Sequence, residues 1–321
     1  MRVAVVGAGI MGLAAADALA RRGHDVDVHE QFEIDHARGS SHGRSRIFRL
    51  SYPGAEWVRL AQEAYAGWRE LERVTGEELL VLNGLLEFGE TSEAALDACG
   101  VEWSPVEPDE LERRFGVRAN ERALLQPEAG YVRADRARRA FLARGGFTLR
   151  EKSPVTSIES VDAEVVVVTA GSWAPKLLAA AGIELDVRVT RETVAYFALD
   201  DERVPSIIEY RRGPTPSVYA LHDPVHGLKA GVHMAGEEVD PDVPTAADPG
   251  LVDAVAAWVA ERYVHADTTP AAVDTCMYTT THDETFVLER HGRIVVGSAC
   301  SGHGFKFAPA VGERLAALAT A

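Results

Sequence analysis

A chain of 321 residues with 46% hydrophobic content can bury one large core or two smaller ones. Its net charge of −16 repels phosphate backbones and argues against a nucleic-acid partner, and no run after the N-terminal segment is long and apolar enough for a membrane span. Cys99, Cys276 and Cys300 form neither a metal-ligand spacing nor an even disulfide set, so a metal-free protein of a reducing, cytoplasmic compartment is expected. The apolar opening MRVAVVGAGIMGLAAADALARR would suit a signal segment, but Gly7, Gly9 and Gly12 break it and Asp17 interrupts it. Val3 to Val6 instead read as a short buried strand. GAGIMG then supplies GxGxxG, and Ile10, Met11 and Leu13 with three alanines open a helix that runs to about Gly23. A second strand, Asp25 to His29, ends at Glu30, where an acid that grips a ribose hydroxyl is expected. Gly7 makes the turn, Gly9 lets backbone approach a pyrophosphate, Gly12 packs helix on strand, and the helix N-terminus attracts the anion. A plain tight turn uses the same glycines; strand, spacing and acid together point to dinucleotide binding. The motif does not separate FAD from NAD, although Glu30 disfavours NADP.

Further along, Ala55 to Thr75 reads as an amphipathic helix with Trp57, Leu60, Ala64, Trp68 and Leu71 on one side. Val81 to Phe88 reads as a hairpin about Asn83 and Gly84. EVVVVT, 164–169, is a continuous buried strand, and AGSWAPKLL follows as turn plus helix, which brings Gly171 and Trp173 to a second strand, glycine turn, helix unit. Between 188 and 233, alternation and turn formers suggest an antiparallel sheet, followed by a helix over Pro249 to Tyr263. RIVVGS, 293–298, is the last buried strand before SGHGFKF, where alternation sets Lys306 opposite Phe305 and Phe307, and a helix-like run follows. The expected fold class is α/β, a Rossmann-like dinucleotide-binding domain interleaved with an α+β domain that contains a mainly antiparallel sheet. The first is assembled from 1–80, 130–184 and 284–321, the second from 81–129 and 185–283.

Four segments in one order, GSSHGRSRIFRLSY, GLKAGVH, CMYTTTHDE and SGHGFKF, resemble the monomeric sarcosine oxidase and N-methyltryptophan oxidase family of FAD-dependent amine oxidases. The resemblance spans nearly the whole chain. It implies FAD rather than NAD, an FAD-binding domain in the first set of segments and a substrate domain in the second. It also implies a monomeric enzyme that oxidises a secondary amine or N-methyl amino acid to an imine and reduces O2 to hydrogen peroxide. Cys276 would form a thioether to the flavin; a buried free thiol is the alternative. Arg49 and Lys306 would hold the substrate carboxylate, Arg49 by its fork and Lys306 as a point charge paired only when an anion arrives, the alternative for Lys306 being a side chain that snorkels outward. Lys229 would lie on the flavin face away from the substrate and stabilise superoxide, an exposed strand lysine being the alternative. Tyr219 and His233 would shape the substrate cavity, and His42, Ser45 and Arg46 would run beneath the ring. Ser301, Gly302, His303 and Gly304 would supply backbone donors at the flavin edge.

Departures from the family pattern also appear. Arg44 stands where an acid is common, 144–168 is short by about a hairpin, GVH replaces GYH, and HDETF replaces PDEHF, so the cavity edge differs and the individual substrate is not fixed. The segment around Tyr219 is one residue short, which weakens that correspondence. A flavin dehydrogenase of the same fold that passes electrons to another acceptor, or a noncatalytic dinucleotide-binding module, are the competing readings.

Overall fold

The computed structural model describes residues 1–89, 92–201, 203–211 and 215–321. Arg2–Val6 is a central strand, paired in parallel with Asp25–His29 on one side and with Val165–Val168 on the other. Valines dominate these strands because helices cover both faces of the sheet, so alternation is not needed. The sheet has six strands in the order Val287–His291, Ile294–Ser298, Val165–Val168, Arg2–Val6, Asp25–His29, Thr148–Arg150, parallel except for the first pair. On one face pack the helices Ile10–Arg21, Ala55–Thr75, Ala134–Arg144 and Ala308–Thr320. The first and last of these approach closely: a Cβ on Gly312 would lie 2.6 Å from Ala14 backbone. Ala174–Ala180 covers the opposite face.

The helix Ala55–Thr75 has the predicted span, but its buried side is Val58, Ala61, Ala64, Trp68 and Leu71; Trp57 and Leu60 sit at its flank, half-buried. The expected hairpin over 81–88 is not formed. Leu80–Val81 joins a three-stranded sheet with Gly130–Arg133 and Ser45–Phe48, whereas Leu85–Phe88 enters a nine-stranded sheet between Ser206–Glu209 and Ala123–Gln126. Gly84, at φ +91°, turns the chain from one sheet to the other instead of folding it back on itself.

The nine-stranded sheet is mainly antiparallel, as expected between 188 and 233, with one parallel pair where Ser206–Glu209 meets Leu85–Phe88. Its longest strand, Arg188–Ala198, pairs with Ala272–Thr280 along nine residues and with Gly227–Val232 on the other edge. The helix Pro249–Arg262 covers one face, burying Val255, Trp258 and Val259 against Phe88, Phe197 and Leu228. Strand alternation then decides what the other face carries: Leu228 and Ala230 point into that core, and Lys229, Gly231 and His233 point away from it. No helix among the described residues is long and apolar enough to cross a membrane.

Candidate active site

That second face, the carboxyl ends of the parallel strands and the loop 39–46 enclose a cavity of about 900 Å³. Every cofactor- or substrate-site residue expected from the sequence lines it except Gly12 and Ser301. Gly12 is needed for packing: a Cβ there would lie 1.9 Å from the Gly7 carbonyl and 2.7 Å from Thr169 Oγ1.

At one end, Gly7 adopts φ +99° and Gly9 starts the helix Ile10–Arg21 without a capping side chain; Ser41 Oγ accepts the Ile10 amide at 3.0 Å. The Glu30 carboxylate is fixed at the end of its strand by the amides of Ala8 (2.9 Å) and Phe32 (3.0 Å). The second glycine turn, Gly171–Trp173, faces it, and Trp173 packs edge-on to Phe32 with ring centroids 5.5 Å apart.

In the middle of the cavity lie Ser45, Arg46, His42, Lys229 and Cys276. Among the described residues Arg46 donates only to carbonyl oxygens, those of Ser40 (2.8 Å), His42 (2.6 Å) and Ser45 (2.9 Å), so its charge is held there by dipoles and no acid. Ser45 is fully buried and its hydroxyl has no hydrogen-bond partner among the described residues. His42 donates from Nδ1 to the Gly39 carbonyl at 3.0 Å, with Asp274 3.5 Å from Nε2. Lys229 is buried, its Nζ 5.9 Å from the Tyr196 ring centroid; burial first, then the Arg46 charge, pull its pKa down to about 7 against Asp223 and Asp274. Burial also raises the Cys276 thiol, with Arg46 and Lys229 opposing that rise.

At the far end, Arg49 and Lys306 converge on Tyr52. The Arg49 guanidinium carbon is 4.0 Å from the Tyr52 ring centroid, and its NH1 group donates to the Ser51 carbonyl (2.8 Å) and Tyr210 Oη (2.6 Å), with Glu87 3.6 Å away. Arg49 Nε is buried and has no partner among the described residues. The expected extended conformation at Lys306 is not found: Phe305–Phe307 forms a 3₁₀ turn, fixed by Trp68, whose indole N–H donates to the Lys306 carbonyl at 2.7 Å. The turn buries Lys306 with Phe307 instead of opposite it, and the lysine does not snorkel outward. Nor is the amine idle without an anion, because Nζ donates to Tyr52 Oη at 3.0 Å and to the His303 carbonyl at 2.8 Å. Its pKa is held well below the usual lysine range by burial and by Arg49. The same two charges reach His233, which burial first and then Arg49 and Lys306 lower to about 4, leaving a neutral imidazole. Tyr219 and Tyr278 complete this wall, and burial raises both phenols.

The expected backbone donors after Ala299 are largely spent within the protein. Ser301 N–H donates to the Thr279 carbonyl, and His303 and Gly304 N–H both donate to the Cys300 carbonyl. Sequence reasoning missed Tyr52, Tyr210, Tyr278 and Cys300, all on the cavity wall. Tyr52 and Tyr278 lie within quoted motifs, so their motif membership was the available signal; Tyr210 had none. Arg44, the unexplained departure, faces the buried Asp223 at 3.3 Å.

A family described as FAD dependent oxidoreductase matches residues 2–318. The chain belongs to this family. It is 34% identical to the peroxisomal sarcosine oxidase of Homo sapiens, over 97% of this chain and 90% of that one. It is 31% identical to the monomeric sarcosine oxidase of Bacillus sp. (strain B-0618), over 99% and 91% respectively. The solved open form of NikD, an unusual amino acid oxidase essential for nikkomycin biosynthesis, superposes with a TM-score of 0.87 at 27% identity, covering 99% of this chain and 93% of that one. The residues present fit FAD: a glycine cradle too tight for any Cβ at Gly7 or Gly12, an anchored acid at the strand end, and an orphaned Ser45 hydroxyl in the cavity wall.

Proposed function

We propose that this FAD-dependent oxidoreductase oxidises the C–N bond of a secondary-amine amino acid of the N-methylglycine kind, giving an imine that hydrolyses, and hydrogen peroxide. The observation that carries this reading is the buried pair Arg49 and Lys306 about Tyr52, with no carboxylate partner for Lys306 among the described residues. Glu87 answers the charge of Arg49 alone, so two cations buried together stay costly until a second anion joins them. A substrate carboxylate supplies it, and the planar fork of Arg49 suits that group. The same two charges oppose a third cation, so the substrate amine binds unprotonated, within reach of the neutral His233 imidazole. Tyr219 and Tyr278 give that wall its shape.

Bound FAD supplies the two-electron oxidation and, with O2, the route to hydrogen peroxide. Gly7, Gly9, Ile10 and Met11 would hold its pyrophosphate, Glu30 a ribose hydroxyl, and Gly171 and Trp173 the opposite side of the dinucleotide. His42, Ser45 and Arg46 would hold the ring system, with Gly302, His303 and Gly304 as a close-fitting turn at its edge. Gly12 acts behind them, by packing. Lys229 would place positive charge where oxygen is reduced. Cys276 would carry a covalent thioether link to the ring. We also divide the chain into an FAD-binding domain, 1–80, 130–184 and 284–321, and a substrate domain, 81–129 and 185–283, because the strands of the two large sheets fall within those segments. The enzyme acts as a monomer, as the name of its Bacillus relative suggests. Three free cysteines suit a reducing cytoplasm.

The test is peroxide release from N-methyl and cyclic amino acids by the yellow protein, followed by acid precipitation. Colour should stay with the pellet in the wild type and leave it in Cys276→Ala. Lys306→Met should raise KM at least tenfold. A colourless protein, or substrate turnover without peroxide, overturns the oxidase reading, and an unchanged KM overturns the carboxylate site.

A further inference from the structure

The two hydrogen bonds of Lys306 begin a longer chain. Tyr52 Oη lies 3.3 Å from His303 Nδ1, and His303 Nε2 lies 3.0 Å from the Glu284 carbonyl oxygen. The direction of each bond is set by the far end. A carbonyl oxygen only accepts, so Nε2 carries the ring proton. Burial first, then the Lys306 and Arg49 charges, keep this imidazole neutral, so Nδ1 must accept. Tyr52 therefore gives its one proton to Nδ1 and turns its lone pairs to Lys306; burial raises its phenol, which holds that proton in place.

The rings are locked as well. His303 packs against Trp57 and Phe286 with centroids 5.0 Å and 5.1 Å away, and Tyr52 stacks on Trp57 at 5.9 Å. The acceptor at the end is equally held, since Glu284 takes φ +60° between Thr281, whose carbonyl receives its amide, and His303.

We infer that Tyr52 and His303 are positioning residues for Lys306: a one-way relay from Lys306 through Tyr52 and His303 to the Glu284 carbonyl presents an acceptor oxygen to the amine and leaves it one N–H for a substrate carboxylate. The inference rests on the function proposed above. An acceptor oxygen favours ammonium over amine. That matters because the groups facing Lys306 and His303 are mostly of the wrong sign or neutral. Arg49 and His233 face both, with Tyr52 and Tyr210 uncharged, Glu87 committed to Arg49 at 3.6 Å, and the half-buried Glu284 carboxyl, which burial raises.

The holoenzyme is titrated with methoxyacetate, which carries an ether oxygen where the substrate carries its amine and offers no amine to oxidise; the flavin absorbance reports binding from pH 6 to 9.5. For the wild type, Kd should be level at low pH and rise about tenfold per pH unit once Lys306 loses its proton. Tyr52→Phe should raise Kd about tenfold at pH 7 and move that break to lower pH. Lys306→Met should raise Kd further and abolish the break. His303→Leu, which leaves Tyr52 in place without its acceptor, should move the break in the same direction by a smaller amount. A flavin-loaded Tyr52→Phe with wild-type Kd and an unmoved break overturns the relay; should that variant not retain flavin, an unmoved break in His303→Leu does so. If Lys306→Met binds methoxyacetate like the wild type, the carboxylate site itself is wrong, a different failure.

Discussion

Two alanine substitutions within one six-residue motif should have opposite consequences. At Gly12 a Cβ would sit 1.9 Å from the Gly7 carbonyl oxygen, about 1.5 Å inside an ordinary contact, and 2.7 Å from Thr169 Oγ1. Neither neighbour can yield, because Gly7 holds φ +99° and Thr169 Oγ1 bonds the Val6 and Gly7 carbonyls at 3.1 Å. The helix must lift off the strand, at a cost of about 2 kcal/mol or more. At Gly9 the backbone is φ −65°, ψ 174°, open to any residue, and the nearest atom to a Cβ is the Ser41 hydroxyl oxygen at 3.3 Å. Alanine there should leave the apoprotein as stable as the wild type, or up to ~1 kcal/mol more stable through the unfolded chain, while its methyl group obstructs the pyrophosphate. Urea unfolding of the apoproteins separates the two. With a slope of about 3 kcal/mol/M, Gly12→Ala should lower the midpoint by about 0.7 M and Gly9→Ala should not lower it. Both should lose flavin. A Gly9→Ala protein that binds FAD normally would refute the assignment of this turn to the cofactor, and an undisturbed Gly12→Ala midpoint would refute the packing argument.

Lys229 should leave a mark on the pH dependence of apoprotein stability. Its pKa falls from 10.5 unfolded to about 7 folded, so below pH 7 both states bear the proton and the whole cost of burying it, roughly 5 kcal/mol, is present. Between pH 7 and 10.5 only the unfolded state keeps it, so this group makes stability rise by up to ~1.4 kcal/mol per pH unit. Lys229→Met should therefore be the more stable protein at pH 7, by a margin that shrinks as pH rises; urea midpoints that stay parallel from pH 7 to 9.5 would contradict the buried placement. Glu192, 1% exposed and opposite Cys276 in the strand register, accepts the amides of Ala235 and Gly236 at 3.1 Å and the Thr190 hydroxyl at 2.6 Å. Glu192→Ala leaves three donors unsatisfied beside the His233 turn and should cost about 3 kcal/mol and raise KM, whereas Glu192→Gln, which keeps the amide acceptor, should recover most of both. Equal urea midpoints for the alanine and glutamine variants would remove Glu192 from the support of that turn.

Much of the cofactor end was legible because its information is local. The dihedrals at Gly7, the packing at Gly12 and the acid at Glu30 all follow from spacing within thirty residues of one strand, turn, helix unit, and the valine runs announced strands covered on both faces. The hairpin over 81–88 was misread for a complementary reason: Gly84 marks a turn, but a turn does not say which sheet receives the next strand. The same limit applies at SGHGFKF, where alternation implied an extended segment. The Trp68 indole, 238 residues away, instead holds a 3₁₀ turn through the Lys306 carbonyl.

The sequence by itself determined the strand, glycine turn and helix at the start of the chain and which cations the later motifs carry, since those features are set by backbone conformation and residue type along a short stretch. Only the tertiary structure decided what surrounds each charge. Tyr52 and His303 are 251 residues apart, and Arg49 meets Tyr210 across 161. No periodicity spans such distances. The polarity of Lys306, the neutrality of His233 and the reduced basicity of Lys229 come from burial and from neighbours brought by chain crossings, which exist only when the sheets are assembled.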